Sequence, residues 1–198
     1  MTDYDVSVQQ LNDLLKDENG DFHMPSKNFN EVYPGILLGD ELREIHQHVP
    51  KHTGSGKLRS VARDVTRLKQ LGVTHILNAA DGESDMHVKT GTEFYSGSGI
   101  IYRGVPAIDD DDFDLSKYFE EASGFIKSAL SAEGEKGKVY VHCKMGYSRS
   151  ATLVIAYLML HHRMTVHDAV ATVREKREIG PNEGFLLQLC ELNIWCQK

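Results

Sequence analysis

Short apolar runs of strand length alternate along the chain with longer segments whose apolar residues recur at helical spacing. The short runs are rich in β-branched and aromatic residues, and they cover residues 31–33, 36–38, 73–77, 100–105 and 138–142. Alternation of this kind is typical of a sheet whose strands are connected by helices. We therefore predict a single α/β domain with a central mixed, largely parallel sheet flanked by helices.

The longer segments predict the helices. Helical spacing indicates helices over residues 7–16, 61–71, 115–130, 151–160 and 165–176, with a last helix carrying residues 185–192. Ser7 and Gln10 form a capping-box pattern, and Asp114 is predicted to be the N-cap of the segment 115–130. Gly72 fits the end of the second helix.

The loop between strand 138–142 and the next helix has the composition of an anion-binding site. We call residues 143–148 the phosphate loop. Backbone N–H groups in a tight strand-to-helix loop, with the positive end of the helix dipole, favour a bound phosphate. Gly146 lets the backbone turn, and the planar fork of Arg149 can hold two phosphate oxygens at once. The predicted phosphate-binding residues are His142, Lys144, Met145, Gly146, Tyr147 and Ser148.

Cys143 is the candidate nucleophile in this loop. The thiolate is the reactive form of cysteine, and a helix N-terminus and a neighbouring cation both favour it. Ser150 can offer a hydroxyl to the sulfur, whereas His142 is expected to hold the shape of the loop. The alternative interpretation is a buried structural cysteine, with Arg149 in a surface ion pair.

The segment His142-Cys143-x5-Arg149-Ser150 resembles the signature of the cysteine-dependent protein tyrosine phosphatases. With the segments 7–15, 30–34, 38–40, 71–80 and 179–182, the chain is similar to the VHR-like small atypical dual-specificity phosphatases over nearly its whole length. The resemblance implies hydrolysis of phosphotyrosine and of phosphoserine or phosphothreonine in proteins through a phosphocysteine, with no metal and no cofactor. It implies residues 1–27 as an N-terminal helix and lead-in segment, and 28–198 as the catalytic domain.

The resemblance also implies further site residues. It places the general acid, which protonates the leaving oxygen, at Asp109, with Asp110 as the alternative. It implies substrate contacts for Tyr118, Arg177 and Asn182. The alternative for Tyr118 is a position in the hydrophobic core. The alternative for Arg177 is an interaction with the negative end of a helix dipole. At Met145 some VHR-like enzymes carry an acidic residue.

Composition narrows the classes of protein that fit. The net charge of −7 argues against nucleic-acid binding, and no apolar run is long enough to span a membrane. Three cysteines without paired spacing suggest a reducing compartment. We expect a cytoplasmic protein, with entry into the nucleus as a further expectation.

Residues 41–60 look like an insertion. Its three histidines are expected to be solvated rather than to bind metal: His46, His48 and His52.

The expected partners are phosphoprotein substrates, with mitogen-activated protein kinases as candidates. Three other interpretations remain open. A phosphoinositide or RNA-end phosphatase could use the same loop, although only Lys144 adds charge to it. A phosphoprotein-binding module would not need the nucleophile. A thiol oxidoreductase would be expected to carry a Cys-x-x-Cys motif, and the chain has none. The sequence does not define the oligomeric state.

Overall fold

A five-stranded sheet forms the centre of the computed structural model, which describes residues 7–41, 61–131 and 137–196. The strands are β1 (Phe29–Tyr33), β2 (Ile36–Gly39), β3 (Val73–Asn78), β4 (Ile101–Gly104) and β5 (Lys138–His142), in the order β1-β2-β5-β3-β4. Only β1 is antiparallel to its neighbour. The prediction of a mixed, largely parallel sheet is therefore confirmed.

The strands at the centre of the sheet send side chains into two separate cores. Val139 and Val141 of β5 lie in the larger core, and Tyr140 between them lies in the smaller one. Because successive side chains of a strand point to opposite faces, the run Val139-Tyr140-Val141 within β5 fits a strand that is covered on both sides. This burial fixes the end of β5, from which the phosphate loop begins.

Helices cover both faces of the sheet. They are α1 (Val8–Leu15), α2 (Val65–Gln70), α3 (Gly91–Phe94), α4 (Phe119–Leu130), α5 (Arg149–His162), α6 (Val166–Lys176) and α7 (Glu183–Cys196), with a 3-10 turn at Ser116–Tyr118. The larger core includes residues of α1, α4, α5, α6 and α7. Almost all of α5 up to Met159 is buried, which explains the continuous apolar run of its sequence.

Several local predictions are confirmed. The side chain of Ser7 accepts a hydrogen bond from the backbone of Gln10, and the Gln10 side chain accepts one from the backbone of Ser7, so the capping box is present. Gly35 turns the chain between β1 and β2 with a φ of 80°, a conformation that glycine adopts without strain. Gly72 ends α2 with a φ of 77°.

Two predicted helix starts are wrong. The second helix begins at Val65 rather than at residue 61, because Asp64 is its N-cap and accepts a hydrogen bond from Arg67 N. Asp114 is not the N-cap of α4, which begins at Phe119 after the 3-10 turn. Gln188 of α7 accepts hydrogen bonds from the backbone N–H groups of Leu115 and Ser116, and these bonds hold the approach to α4.

The predicted solvated histidines His46, His48 and His52 lie outside the described residues. Within the described ranges, no helix is long and apolar enough to cross a membrane.

Candidate active site

The phosphate loop joins the buried end of β5 to the first turn of α5. The positive φ of 64° at Gly146 requires a residue without a side chain. A Cβ at this position would also collide with the carbonyl oxygen of Gly39 in β2. The loop is therefore packed against the neighbouring strand, and its shape does not depend on a ligand.

Cys143 lies at the base of the loop and is 1% exposed. The Ser150 Oγ donates a hydrogen bond to the Cys143 Sγ at 3.2 Å. Burial alone would raise the pKa of the Cys143 thiol, but the charge of Arg149 and the hydrogen bonds from Ser150 and from the backbone of Tyr147 together lower it. The geometry thus favours the thiolate.

His142 is fully buried, and this burial lowers its pKa to about 4. Its Nδ1 donates a hydrogen bond to the carbonyl oxygen of Cys143 at 3.1 Å. Its Nε2 has no hydrogen-bond partner in the part of the chain that the structure describes. A neutral imidazole bonded to the backbone of the next residue fits the expectation that His142 holds the shape of the loop.

Arg149 is the first residue of α5, and its side chain is 4% exposed. Its Nη1 donates hydrogen bonds to the carbonyl oxygens of Met86 at 2.8 Å and Ala107 at 3.1 Å. Its Nε lies 3.5 Å from the Asp109 Oδ2 and makes no hydrogen bond within the described residues. The guanidinium is therefore held in place while part of its donor capacity stays available.

The carbonyl of Met86 belongs to the segment after β3, residues 79–90, which we call the β3 loop. The Asn78 Nδ2 donates hydrogen bonds to the Val88 carbonyl oxygen at 2.8 Å and to the Tyr102 hydroxyl at 3.0 Å. The Tyr102 hydroxyl donates in turn to the Asp81 Oδ1 at 2.8 Å. A buried amide such as that of Asn78 needs hydrogen-bond partners. The Tyr102–Asp81 bond joins residues that no sequence motif connects.

Asp109 reaches the site from the segment after β4, residues 107–113, which we call the acid loop. Its Oδ1 accepts hydrogen bonds from the Ser148 hydroxyl at 2.6 Å and from the Asn182 Nδ2 at 3.1 Å. The other oxygen faces Arg149. Asp110 is exposed, and its Oδ1 accepts a hydrogen bond from the backbone N–H of Asp112. The geometry favours Asp109 over Asp110 as the acid.

Asn182 has two contacts that suit two roles. Its amide nitrogen binds Asp109, and its Oδ1 accepts a hydrogen bond from Phe185 N at 2.8 Å at the start of α7. The second contact caps α7, and the first positions the acid. The predicted contact of Asn182 with substrate stays a prediction.

Arg177, a predicted substrate contact, is buried and bound to backbone carbonyl groups. The residue is 3% exposed, and its Nε donates a hydrogen bond to the carbonyl oxygen of Gly146 at 2.9 Å. Its Nη2 donates to the Met145 carbonyl oxygen, and its Nη1 to the Lys27 carbonyl oxygen and the Asn30 Oδ1. These bonds hold the guanidinium against the phosphate loop, so Arg177 supports the loop. Its contact with substrate stays a prediction.

A shallow depression of about 220 Å³ borders Arg177 on its outer side. Lys27 and Lys176 are exposed and line this depression together with Glu175 and Glu178, so its lining carries both signs of charge.

The remaining predicted residues lie at the margins of the site. Tyr118 is half-buried against the larger core and stacks on Phe113, and no described hydrogen bond joins it to the phosphate loop. The Lys144 Nζ donates a hydrogen bond to the Asp85 carbonyl oxygen in the β3 loop. The Tyr147 carbonyl oxygen accepts one from Gly180 N at 3.1 Å. Met145 is 51% exposed.

Together these contacts describe a site for phosphoryl transfer. A buried sulfur whose pKa is lowered lies at a helix N-terminus, beside a fixed guanidinium and a carboxyl group. These are the parts that nucleophilic displacement at phosphorus requires: a nucleophile, a cation for the phosphate oxygens and an acid for the leaving group.

Comparison with known proteins also indicates an enzyme that transfers phosphoryl groups. A family model described as the catalytic domain of dual specificity phosphatases matches residues 58–194. Human dual specificity protein phosphatase 13B is 43% identical over 162 residues, which are 82% of this chain and 71% of that protein. Bovine dual specificity protein phosphatase 26 is 43% identical over 164 residues, which are 83% of this chain and 66% of that protein.

A solved structure of a related protein has the same fold. The structure of the human tyrosine phosphatase-like serine/threonine/tyrosine-interacting protein superposes with a TM-score of 0.66 at 28% identity, covering 86% of this chain and 98% of that chain. The chain belongs to the dual specificity phosphatase family. It is a cysteine-dependent protein phosphatase of the small atypical kind, as the resemblance predicted.

Proposed function

We propose that Cys143, Arg149, Asp109 and Ser150 carry the dephosphorylation of phosphotyrosine and of phosphoserine or phosphothreonine in protein substrates. One observation carries this assignment. The Cys143 sulfur, the hydroxyl that binds it, the fixed guanidinium and the carboxyl that faces this guanidinium all converge at the start of α5. Each of these groups has a distinct task in a two-step transfer.

In the first step the Cys143 thiolate attacks phosphorus in line with the leaving oxygen. The sulfur–phosphorus bond forms while the phosphorus–oxygen bond breaks, and Asp109 gives its proton to the leaving oxygen. Ser148 and Asn182 both bind the Asp109 Oδ1. The Oδ2 faces the Arg149 guanidinium at 3.5 Å, so the acid lies beside the cation that holds the phosphate oxygens.

In the second step water attacks the phosphocysteine, and Asp109 takes the proton of this water. The sulfur–phosphorus bond breaks and the thiolate leaves with the hydrogen bond from Ser150, which lies 3.2 Å from the sulfur. Arg149 and the backbone N–H groups of the phosphate loop hold the phosphoryl oxygens through both steps, where charge stabilisation supplies much of the catalysis.

Mitogen-activated protein kinases are candidate substrates, and a cytoplasmic and nuclear location would give the chain access to them. Support for a phosphoprotein substrate comes from the names of the two curated relatives, each called a dual specificity protein phosphatase.

The test is phosphate release from a peptide phosphorylated on both threonine and tyrosine, with wild type compared with Cys143→Ser. We expect wild type to release phosphate from both residues and the variant to release none. Binding of the peptide without release by wild type would contradict the proposal and would favour a phosphoprotein-binding module.

A further inference from the structure

Three large apolar side chains are exposed on the three segments that meet around Cys143. They are Met86 in the β3 loop, Ile108 in the acid loop and Met145 in the phosphate loop, with exposures of 50%, 44% and 51%. We call these three side chains the apolar rim. Exposed apolar side chains that occur singly need no explanation, but three around one site are a feature of a binding surface.

Contacts with Arg149 or Arg177 fix the backbone at or next to each rim residue. The Met86 carbonyl oxygen accepts a hydrogen bond from Arg149 at 2.8 Å. The Met145 carbonyl oxygen accepts one from Arg177 at 3.3 Å. Ile108 lies between two residues that contact Arg149. The carbonyl oxygen of Ala107 accepts a hydrogen bond from Arg149, and the carboxylate of Asp109 faces its guanidinium. The rim is therefore built on the same rigid frame as the catalytic groups.

We infer that the apolar rim contacts apolar side chains next to the phosphorylated residue, so that the preferred substrates are proteins phosphorylated within an apolar sequence. This inference rests on the proposed function, because the phosphate of the same substrate occupies the phosphate loop. Unbranched methionine side chains adapt to apolar partners of different shape, which suits a surface that accepts more than one sequence.

The charges beside the rim indicate a protein rather than a lipid surface as the occupant. Asp110, Asp111 and Asp112 follow Ile108 and are all exposed. Phosphoinositide-containing membranes are anionic and attract basic rather than acidic segments. The same three carboxylates disfavour acidic residues in a substrate peptide on that side of the site.

The test compares phosphotyrosine peptides that differ only in the two residues on each side of the phosphotyrosine. These four residues are all leucine, all serine or all glutamate. We expect kcat/KM for the leucine peptide to exceed that for the serine peptide by about tenfold, the low end of what one apolar contact in a pocket gives. The glutamate peptide is expected to be the poorest substrate.

Variants locate the preference on the rim. We expect Met86→Ser and Met145→Ser each to lower the leucine-to-serine ratio of kcat/KM, and the double variant to bring it close to one. The ratio compares two peptides on one variant, so a general loss of activity cancels. Leu187→Ser is the matched control, because Leu187 is 52% exposed on α7; this variant should keep the wild-type ratio.

Equal kcat/KM for the three peptides in wild type would overturn the inference while leaving the proposed function intact. A loss of the preference in Leu187→Ser as large as in the rim variants would also overturn it. Release of phosphate from phosphoinositide vesicles and from none of the peptides would overturn both, because the proposed function requires release from all three.

Discussion

Two buried arginines lie on opposite sides of the phosphate loop, and their surroundings differ. Arg149 and Arg177 are each 3% exposed. The described hydrogen bonds of Arg149 come from Nη1 alone, and its Nε faces a carboxylate. Arg177 uses Nε, Nη1 and Nη2, and it binds two carbonyl oxygens of the phosphate loop itself.

The difference shows that burial and charge do not by themselves identify a ligand-binding arginine. Arg149 has donors left for an anion, whereas the guanidinium of Arg177 is directed to carbonyl groups whose burial without a partner would be costly. From this comparison we expect Arg149 to bind phosphate and Arg177 to stabilise the loop. Variants at the two positions should have opposite signatures.

The largest effect is expected for Arg149→Lys. Lysine keeps the charge but cannot hold two phosphate oxygens in a plane, so kcat should fall by about 10³-fold, as for loss of an arginine that stabilises phosphoryl transfer. The measurements are steady-state kinetics and tungstate binding by calorimetry. Activity within a fewfold of wild type would remove the distinction between the two arginines.

Asp109→Asn should lower kcat by roughly 10²–10³-fold on phosphothreonine peptides, because a departing alkoxide needs a proton. The loss in kcat/KM, which reports the first step alone, should be much smaller on an aryl phosphate whose leaving group is stable as an anion. Asp110→Asn is the matched control and should stay near wild type, since its carboxylate binds only the acid-loop backbone in the described contacts. Equal losses in the two variants would contradict the assignment of Asp109.

Arg177→Met should act on stability more than on the chemical step. It removes the donors of the Gly146, Met145 and Lys27 carbonyl oxygens. We expect the free energy of unfolding to fall by about 3 kcal/mol, and Tm by roughly 6–12 °C for a chain of this size. Thermal unfolding of Arg177→Met and Arg177→Lys measures this effect. A wild-type Tm with a strongly raised KM would return Arg177 to the predicted role in substrate binding.

Ser150→Ala should give the smallest change, a shift in pH dependence. The Ser150 hydroxyl is one of the groups that lower the pKa of Cys143, so its removal raises this pKa. Because the thiolate forms only as pH rises through the pKa, the rising limb of alkylation by iodoacetamide should move to higher pH. Rates at each pH in wild type and variant provide the measurement, and coincident profiles would contradict the role of the hydroxyl.

The sequence was sufficient for the parts of the site that are local in the chain. Cys143, Arg149 and Ser150 belong to one loop and helix start, and alternating patterns predicted the sheet that carries them. The partners of Arg177 could not be predicted this way. Lys27 and Asn30 lie 150 and 147 positions away in sequence, and only the folded chain brings them to the guanidinium.

The start of α4 was mispredicted for the same physical reason. Asp114 has the sequence features of an N-cap, but Gln188 takes the backbone donors of Leu115 and Ser116 from 73 and 72 positions away. Asp114 still accepts backbone hydrogen bonds from Lys117 and Ser116, so local and long-range bonds together form the 3-10 turn that precedes α4. The Tyr102–Asp81 bond that secures the β3 loop likewise joins residues far apart in sequence, one in β4 and one in the loop, without a local signal.

The most direct test of the central assignment is to trap the intermediate. Asp109→Asn, mixed with an aryl phosphate whose leaving group is stable as an anion and quenched in acid during turnover, should carry a phosphate on Cys143 in peptide mass spectrometry. With this substrate the first step needs no acid, whereas the second step lacks its base. The double variant Asp109→Asn/Cys143→Ser should carry no phosphocysteine. Turnover by wild type, with no phosphate on Cys143 at any quench time or with phosphate on another residue, would contradict the account.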